Sequence, residues 1–243
     1  MTYRGLSPRT ALIRWALFAV AVGIVLGTTM PFAVDGLVRL ASSAPERLPW
    51  VATRIIAFLS YFAIAGSVIY GLLLSTKILD AIAHRPVTFA LHQDLAAIGL
   101  GLAGIHVALL GLDATQPFGF AQMLVPFASP YRPLWVGAGQ LALYLVAIVL
   151  ASFYVRRRIG QRAWRAFHYV TFLAFAFTTA HGILSGTDTS AAWAWWVYVV
   201  TTTVVVFLTV YRITDAVVVR RERRGRPSAA APGPLELRSP TRG

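Results

Sequence analysis

Six apolar runs, each near the ~20 residues a helix needs to cross a bilayer, divide most of this chain and leave few architectures open to it. They are Leu12–Phe32, Ala52–Ser75, Val87–Leu112, Leu134–Tyr154, Phe167–Leu184 and Trp193–Ile213. In hydrocarbon no water is available to an unpaired backbone group, so each run must close its own hydrogen bonds as a helix. Nothing in the pattern alternates as barrel strands do. The expected fold is therefore an all-α integral membrane protein, a six-transmembrane-helix bundle. Composition agrees: 57 % of residues are hydrophobic and 13 % are charged, against roughly a quarter charged in soluble domains.

The net charge of +13 invites a nucleic-acid reading, but its placement excludes one. The basic residues sit in loops and termini, without the interleaved aromatics of a soluble binding face. Placed by the positive-inside rule, one side holds Arg4, Arg9, Arg14, Lys77, Arg85, Arg156, Arg157, Arg158, Arg162, Arg165 and eight arginines from Arg212 onward. The other holds only Arg39, Arg47, Arg54 and Arg132. Such asymmetry puts both termini in the cytoplasm of a multi-pass cell-membrane protein. The first run follows arginines as a signal peptide would, but the small residues Ala41–Ala44 lie too far beyond it for cleavage, so it reads as an uncleaved helix. Residues 1–215 form the membrane domain. Residues 216–243 read as a basic, Pro/Ala-rich disordered cytoplasmic tail, whose Arg220–Arg226 cluster suits anionic lipid. The outer loop Asp113–Arg132, with Pro117, Phe118, Phe120, Met123 and Phe127, reads as a cap lying in the interface.

Histidines carry the functional reading. His84 stands in an inner loop and is expected to be solvated. His92 and His106 lie fourteen residues apart in the third run, His168 and His181 thirteen apart in the fifth. At 1.5 Å per residue these steps rise about 21 and 20 Å. Both runs cross in the same direction, so the four form two level pairs, His92 with His168 and His106 with His181. Fourteen steps return to within roughly 40° of one helix face, whereas thirteen end about 140° away. The fifth helix should therefore be distorted, or its two rings approach from different sides.

One membrane histidine often does no more than bond a neighbouring helix; four at matched depths point to ligands. Cysteine is absent, which removes thiolates and iron–sulfur clusters. Neutral imidazole suits zinc, copper, iron and nickel. Zinc usually takes three or four protein ligands, whereas bis-imidazole ligation of haem takes two. Without a Cys-x-x-Cys-His motif the group is a non-covalent haem b, one or two per chain. The glycines Gly99, Gly101 and Gly104, with Ala174, Ala176 and Ala180, offer a planar macrocycle room. Arg54 is the candidate cation for outer propionates, Arg165 and Arg85 for inner ones.

His92-x13-His106 and His168-x12-His181, with Ser152, Arg157, Gly160 and Trp164 leading into His168, resemble the ferric reductase-like transmembrane domain family. That family includes ferric reductases, NADPH oxidases and the haem-binding subunit of the bacterial methionine sulfoxide reductase system. The resemblance covers about residues 51–213. It implies inner haem ligands His92 and His168, outer ligands His106 and His181, and electrons passing from the cytoplasmic to the external face. About 30 residues follow the sixth run and hold no glycine-rich phosphate loop. The expected partners are thus membrane lipids, a separate donor (a reductase, a quinol, or a flavin or quinone at the membrane) and an external acceptor: Fe(III), O2 or a partner protein. The alternative is a transporter or channel passing protons or metal ions through the histidines. Its polar path is poor, because Asp35, Asp80, Asp113 and Asp188 lie in or near loops and only Asp94 enters a helix end.

Overall fold

A computed structural model describes Ser42 and residues 47–76, 78–81, 84–112 and 118–225. The first expected span, Leu12–Phe32, lies outside the described residues, as do Arg4, Arg9, Arg14, Arg39 and Lys77 and the last part of the tail.

All regular structure among these residues is helical. In chain order the helices are α1 (Leu48–Thr76), α2 (Arg85–Leu110), the short α3 (Phe120–Leu124), α4 (Pro133–Ile159), α5 (Gln161–His168), α6 (Val170–Ser185) and α7 (Ala192–Gly225). Single 3-10 turns occupy Ile78–Ala81 and Asp188–Ser190. Five helices, with α5 and α6 counted as one, are long and apolar enough to cross a membrane, and they correspond to the second to sixth runs. The α7 helix continues past Asp215 through residues 216–225, into the stretch expected to be tail.

Two antiparallel helix pairs make the frame. The first is α1 against α2. Thr53 meets His106, Ser60 meets Gly99 and Ser67 meets His92, each through a hydrogen bond. A Cβ on Gly99 would lie 2.7 Å from Ile64 of α1, so glycine is what lets the two backbones close at this level. The second pair is α4 against α6, met at Gly139 and His181. The core knits the pairs to α7 through Tyr61, Ala65 and Leu72 of α1, Phe175 of α6, and Tyr198, Val205 and Leu208 of α7. Elsewhere large apolar side chains such as Ile98, Ile105, Ile148 and Phe207 point outward, as they must where lipid is the solvent.

The link from α4 into α5 explains the residues that lead into His168. Gly160 has φ +84° and ψ 144°, a conformation in which a side chain clashes, and it turns the chain sharply between the helices. Trp164 then reaches back, its Nε1–H donating to the Ser152 hydroxyl at 3.2 Å, while Ser152 itself donates to the Val149 carbonyl at 2.6 Å. Replacing Gly160 by alanine should destabilise the fold by about 1–3 kcal/mol, the usual cost of holding a residue in such a region. Thermal unfolding of the detergent-solubilised protein checks this, and an unchanged midpoint would count against it.

Candidate functional site

The structure brings together the pairs expected from depth. His92 of α2 and His168 at the end of α5 face each other with ring centroids 6.0 Å apart and planes at 73°. His106 of α2 and His181 of α6 do so at 6.4 Å and 76°. His84 stands apart, exposed just before α2.

The thirteen-residue step is accommodated by distortion. The helix is interrupted at Tyr169, whose amide bonds the Ala166 carbonyl at 3.3 Å, three residues back, and Phe172 bonds Tyr169 in the same way at 3.1 Å. Such 3-10 geometry turns about 120° per residue instead of about 100°. Thirteen regular steps fall short of four full turns, so overwinding rotates His168 toward the face that His181 occupies.

Three of the four rings are held by one device. His92 Nδ1 lies 2.7 Å from the Ser67 carbonyl, His106 Nδ1 2.9 Å from the Thr53 carbonyl, and His181 Nδ1 2.9 Å from the Trp135 carbonyl. A helical carbonyl already accepts the amide four residues on, and its second lone pair is normally screened by the side chain at that position. Here the residue four on from each acceptor is small: Gly71 after Ser67, Ala57 after Thr53, Gly139 after Trp135. A Cβ on Gly71 would lie 3.1 Å from His92 Cε1, and one on Gly139 2.5 Å from His181 Nδ1. Glycine lets each ring lie against the neighbouring backbone and reach its carbonyl.

These contacts also settle the tautomer. A carbonyl only accepts, so Nδ1 must carry the proton, and in a neutral imidazole the Nε2 lone pair is then bare. Among the described residues no hydrogen bond engages Nε2 of any of the four. This is how a ligating histidine is prepared, with one nitrogen anchored and the other free. His168 differs. Its Nδ1 is buried without a partner, and its ring leans on Trp164, centroids 5.1 Å apart at 30°.

A cavity of about 660 Å³ surrounds the outer pair, lined by His106 and His181 together with Thr53, Arg54, Tyr61, Gly139, Gln140 and Asp188. The described part of the loop before α4 contributes Phe118, Gln122, Met123 and Tyr131 to its lining. It is tied down by the Gln140 amide, which donates to the carbonyls of Gln122 at 2.7 Å and Met123 at 2.9 Å.

The expected cations fare differently. Arg54 lines the cavity, but its guanidinium is ion-paired with Asp188 and lies over the Trp50 ring at 4.2 Å. Arg85 is exposed and paired with Asp80 at 3.6 Å, and Arg165 is exposed. The expected glycine stripe on α2 is also divided. Gly99 is spent on packing against Ile64, while Gly101 and Gly104 have open space beside them. The glycines that meet the histidine rings, Gly71 and Gly139, lie on the partner helices.

The chain matches no protein-family model, no curated protein and no solved structure.

Proposed function

We propose that this protein carries electrons across the membrane through b-type haems, one held by His92 and His168 and one by His106 and His181. The facing of the two histidine pairs carries this reading. A metal–imidazole nitrogen bond is about 2.0–2.1 Å, and the ring centre lies about 1.1 Å behind that nitrogen, so two rings sharing one iron from opposite sides would stand about 6.2–6.4 Å apart. The observed separations of 6.0 and 6.4 Å lie close to that range, and the anchored Nδ1 atoms of His92, His106 and His181 leave Nε2 as the donor. Among the described residues no group of three or more His, Asp or Glu could gather around one ion, so a zinc site of the usual three or four protein ligands has nothing to build on.

Haem iron, when bound, supplies reversible one-electron chemistry. The residues do the rest. The four imidazoles would hold the iron, and the carbonyls of Ser67, Thr53 and Trp135 would raise the basicity of His92, His106 and His181. The two levels, about 21 Å apart along α2, make a path normal to the bilayer. The arginine-rich end with Arg156, Arg157, Arg158 and Arg162 is read as cytoplasmic, and the end with Arg47, Arg54 and Arg132 as external. Arg54 supplies the outer cation, shared with Asp188. The donor is a separate reductase, a quinol, or a flavin bound at the membrane, and the acceptor is Fe(III), O2 or a partner protein. These assignments follow the resemblance to ferric reductase-like membrane domains.

The optical spectrum of detergent-purified protein tests the reading. Dithionite should raise a b-type α-band, and iron should approach two per chain. A folded, colourless preparation sinks the haem reading and leaves the transporter or channel alternative.

A further inference from the structure

Thr53, Ser60 and Ser67 stand at seven-residue intervals on α1, one above another on a single face. Each hydroxyl donates across the helix pair to a carbonyl of α2: Thr53 to His106 at 3.0 Å, Ser60 to Gly99 at 2.8 Å, and Ser67 to His92 at 2.9 Å. All three side chains are buried. Two rungs of this ladder fall at the histidines, and the middle one at the glycine where the helices close.

The outer two rungs do more than join backbones. Thr53 Oγ1 also lies 3.0 Å from His106 Nδ1, and Ser67 Oγ 3.1 Å from His92 Nδ1. A hydroxyl has one proton, here committed to the histidine's own carbonyl, so only a lone pair faces the ring. Each Nδ1–H is thus shared between a carbonyl and a hydroxyl oxygen of the same α1 residue. The contact is reciprocal, because residue and histidine each give the other a hydrogen bond. That fixes the ring's rotation, the helix register and the electron density on Nε2 together. Ser60 makes the same cross-helix bond with no imidazole in reach, and so separates the packing role from the tuning role within one molecule.

We infer that Thr53 and Ser67 are positioning residues for the two histidine levels, Thr53 setting the axial field of the outer haem and Ser67 that of the inner. The inference rests on the haem reading above. An acceptor at Nδ1 gives the imidazole anionic character, which favours ferric iron. Removing one of the two acceptors therefore favours ferrous iron and raises the midpoint potential.

Potentiometric titration of the purified full chain, followed at the α-band, tests this with Thr53→Val, Ser67→Ala and Ser60→Ala. Thr53→Val should raise the potential of one haem and Ser67→Ala that of the other, and Ser60→Ala should move neither. In the first two, the affected haem should also be lost to apomyoglobin more readily, by about ten- to a hundredfold, the usual effect of removing a partner behind a ligand. Thr53→Ser and Ser67→Thr keep the hydroxyl and should restore the parent potentials, which separates tuning from misfolding. Haem-loaded variants with unmoved potentials, or a Ser60→Ala protein shifted as far as the others, would overturn the positioning role and leave the haem reading standing. A colourless parent protein overturns both.

Discussion

On the haem proposal, replacing His181 by alanine should remove one haem and leave the other. Its Nδ1 is held by Trp135 and its ring abuts Gly139, and no other histidine lies near enough to take its place opposite His106. The outer pair would be reduced to one imidazole in a cavity of about 660 Å³. The inner pair, carried on α2 and α5, shares no ring contact with it. Haem iron per chain is therefore expected to halve, and the remaining α-band to titrate as a single component. His92→Ala should give the complementary half, and the double variant no colour. Loss of both haems in each single variant, with the fold intact, would count against two independent levels. Full retention in both would remove the histidines from the site.

Gly139→Val should have the second-largest effect, although valine adds no charge and removes no ligand. The first added carbon would lie 2.5 Å from His181 Nδ1 and 2.6 Å from its Cγ, so ring or helix must move. The ring cannot turn away freely, because its Nδ1–H bond to the Trp135 carbonyl, one helical turn earlier, depends on that close approach. Forced overpacking of this kind typically destabilises by about 1–3 kcal/mol, and here it also spoils the ligand geometry. A lowered unfolding midpoint is expected and, on the haem proposal, loss or spectral shift of the haem held by His106 and His181. Gly71→Ala at the inner level is the milder counterpart. Its added carbon would lie 3.1 Å from His92 Cε1, which a small shift relieves. A Gly139→Val protein as stable and as strongly coloured as its parent would show that the close approach is incidental.

Much of this arrangement was legible in the sequence, for definite reasons. Apolar run length marks helices because hydrocarbon leaves the backbone no other option. Depth along a helix is simple counting, so the pairing of His92 with His168 and of His106 with His181 could be expected before any coordinate. The thirteen-residue step called for either a distortion or rings approaching from different sides, and the helix is interrupted at Tyr169.

What stayed hidden depends on how helices are phased against one another. Thr178, Thr201 and Thr209 bond carbonyls four residues back in their own helices, as membrane threonines commonly do. Thr53 and Ser67 look no different by composition; the seven-residue spacing of Thr53, Ser60 and Ser67 was the available signal, and it acquires meaning only beside α2. Small residues beside the histidine rings were expected on the histidine helices, but the glycines that meet the rings, Gly71 and Gly139, are on the facing ones. Arg54 was expected as the cation for outer propionates. Its pairing with Asp188, 134 residues later, joins segments whose proximity no local pattern reveals.

The hydroxyl ladder also limits how these two helices can change length. Adding or deleting one residue between Thr53 and Ser67, or between His92 and His106, would turn everything beyond it by about 100° and displace it by about 1.5 Å. One histidine would then lose its carbonyl and its hydroxyl, and, where the change lies in α2, its opposite ring as well. Tolerated length variation in α1 and α2 should therefore fall outside these two fourteen-residue intervals, at the helix ends and in the connection between them.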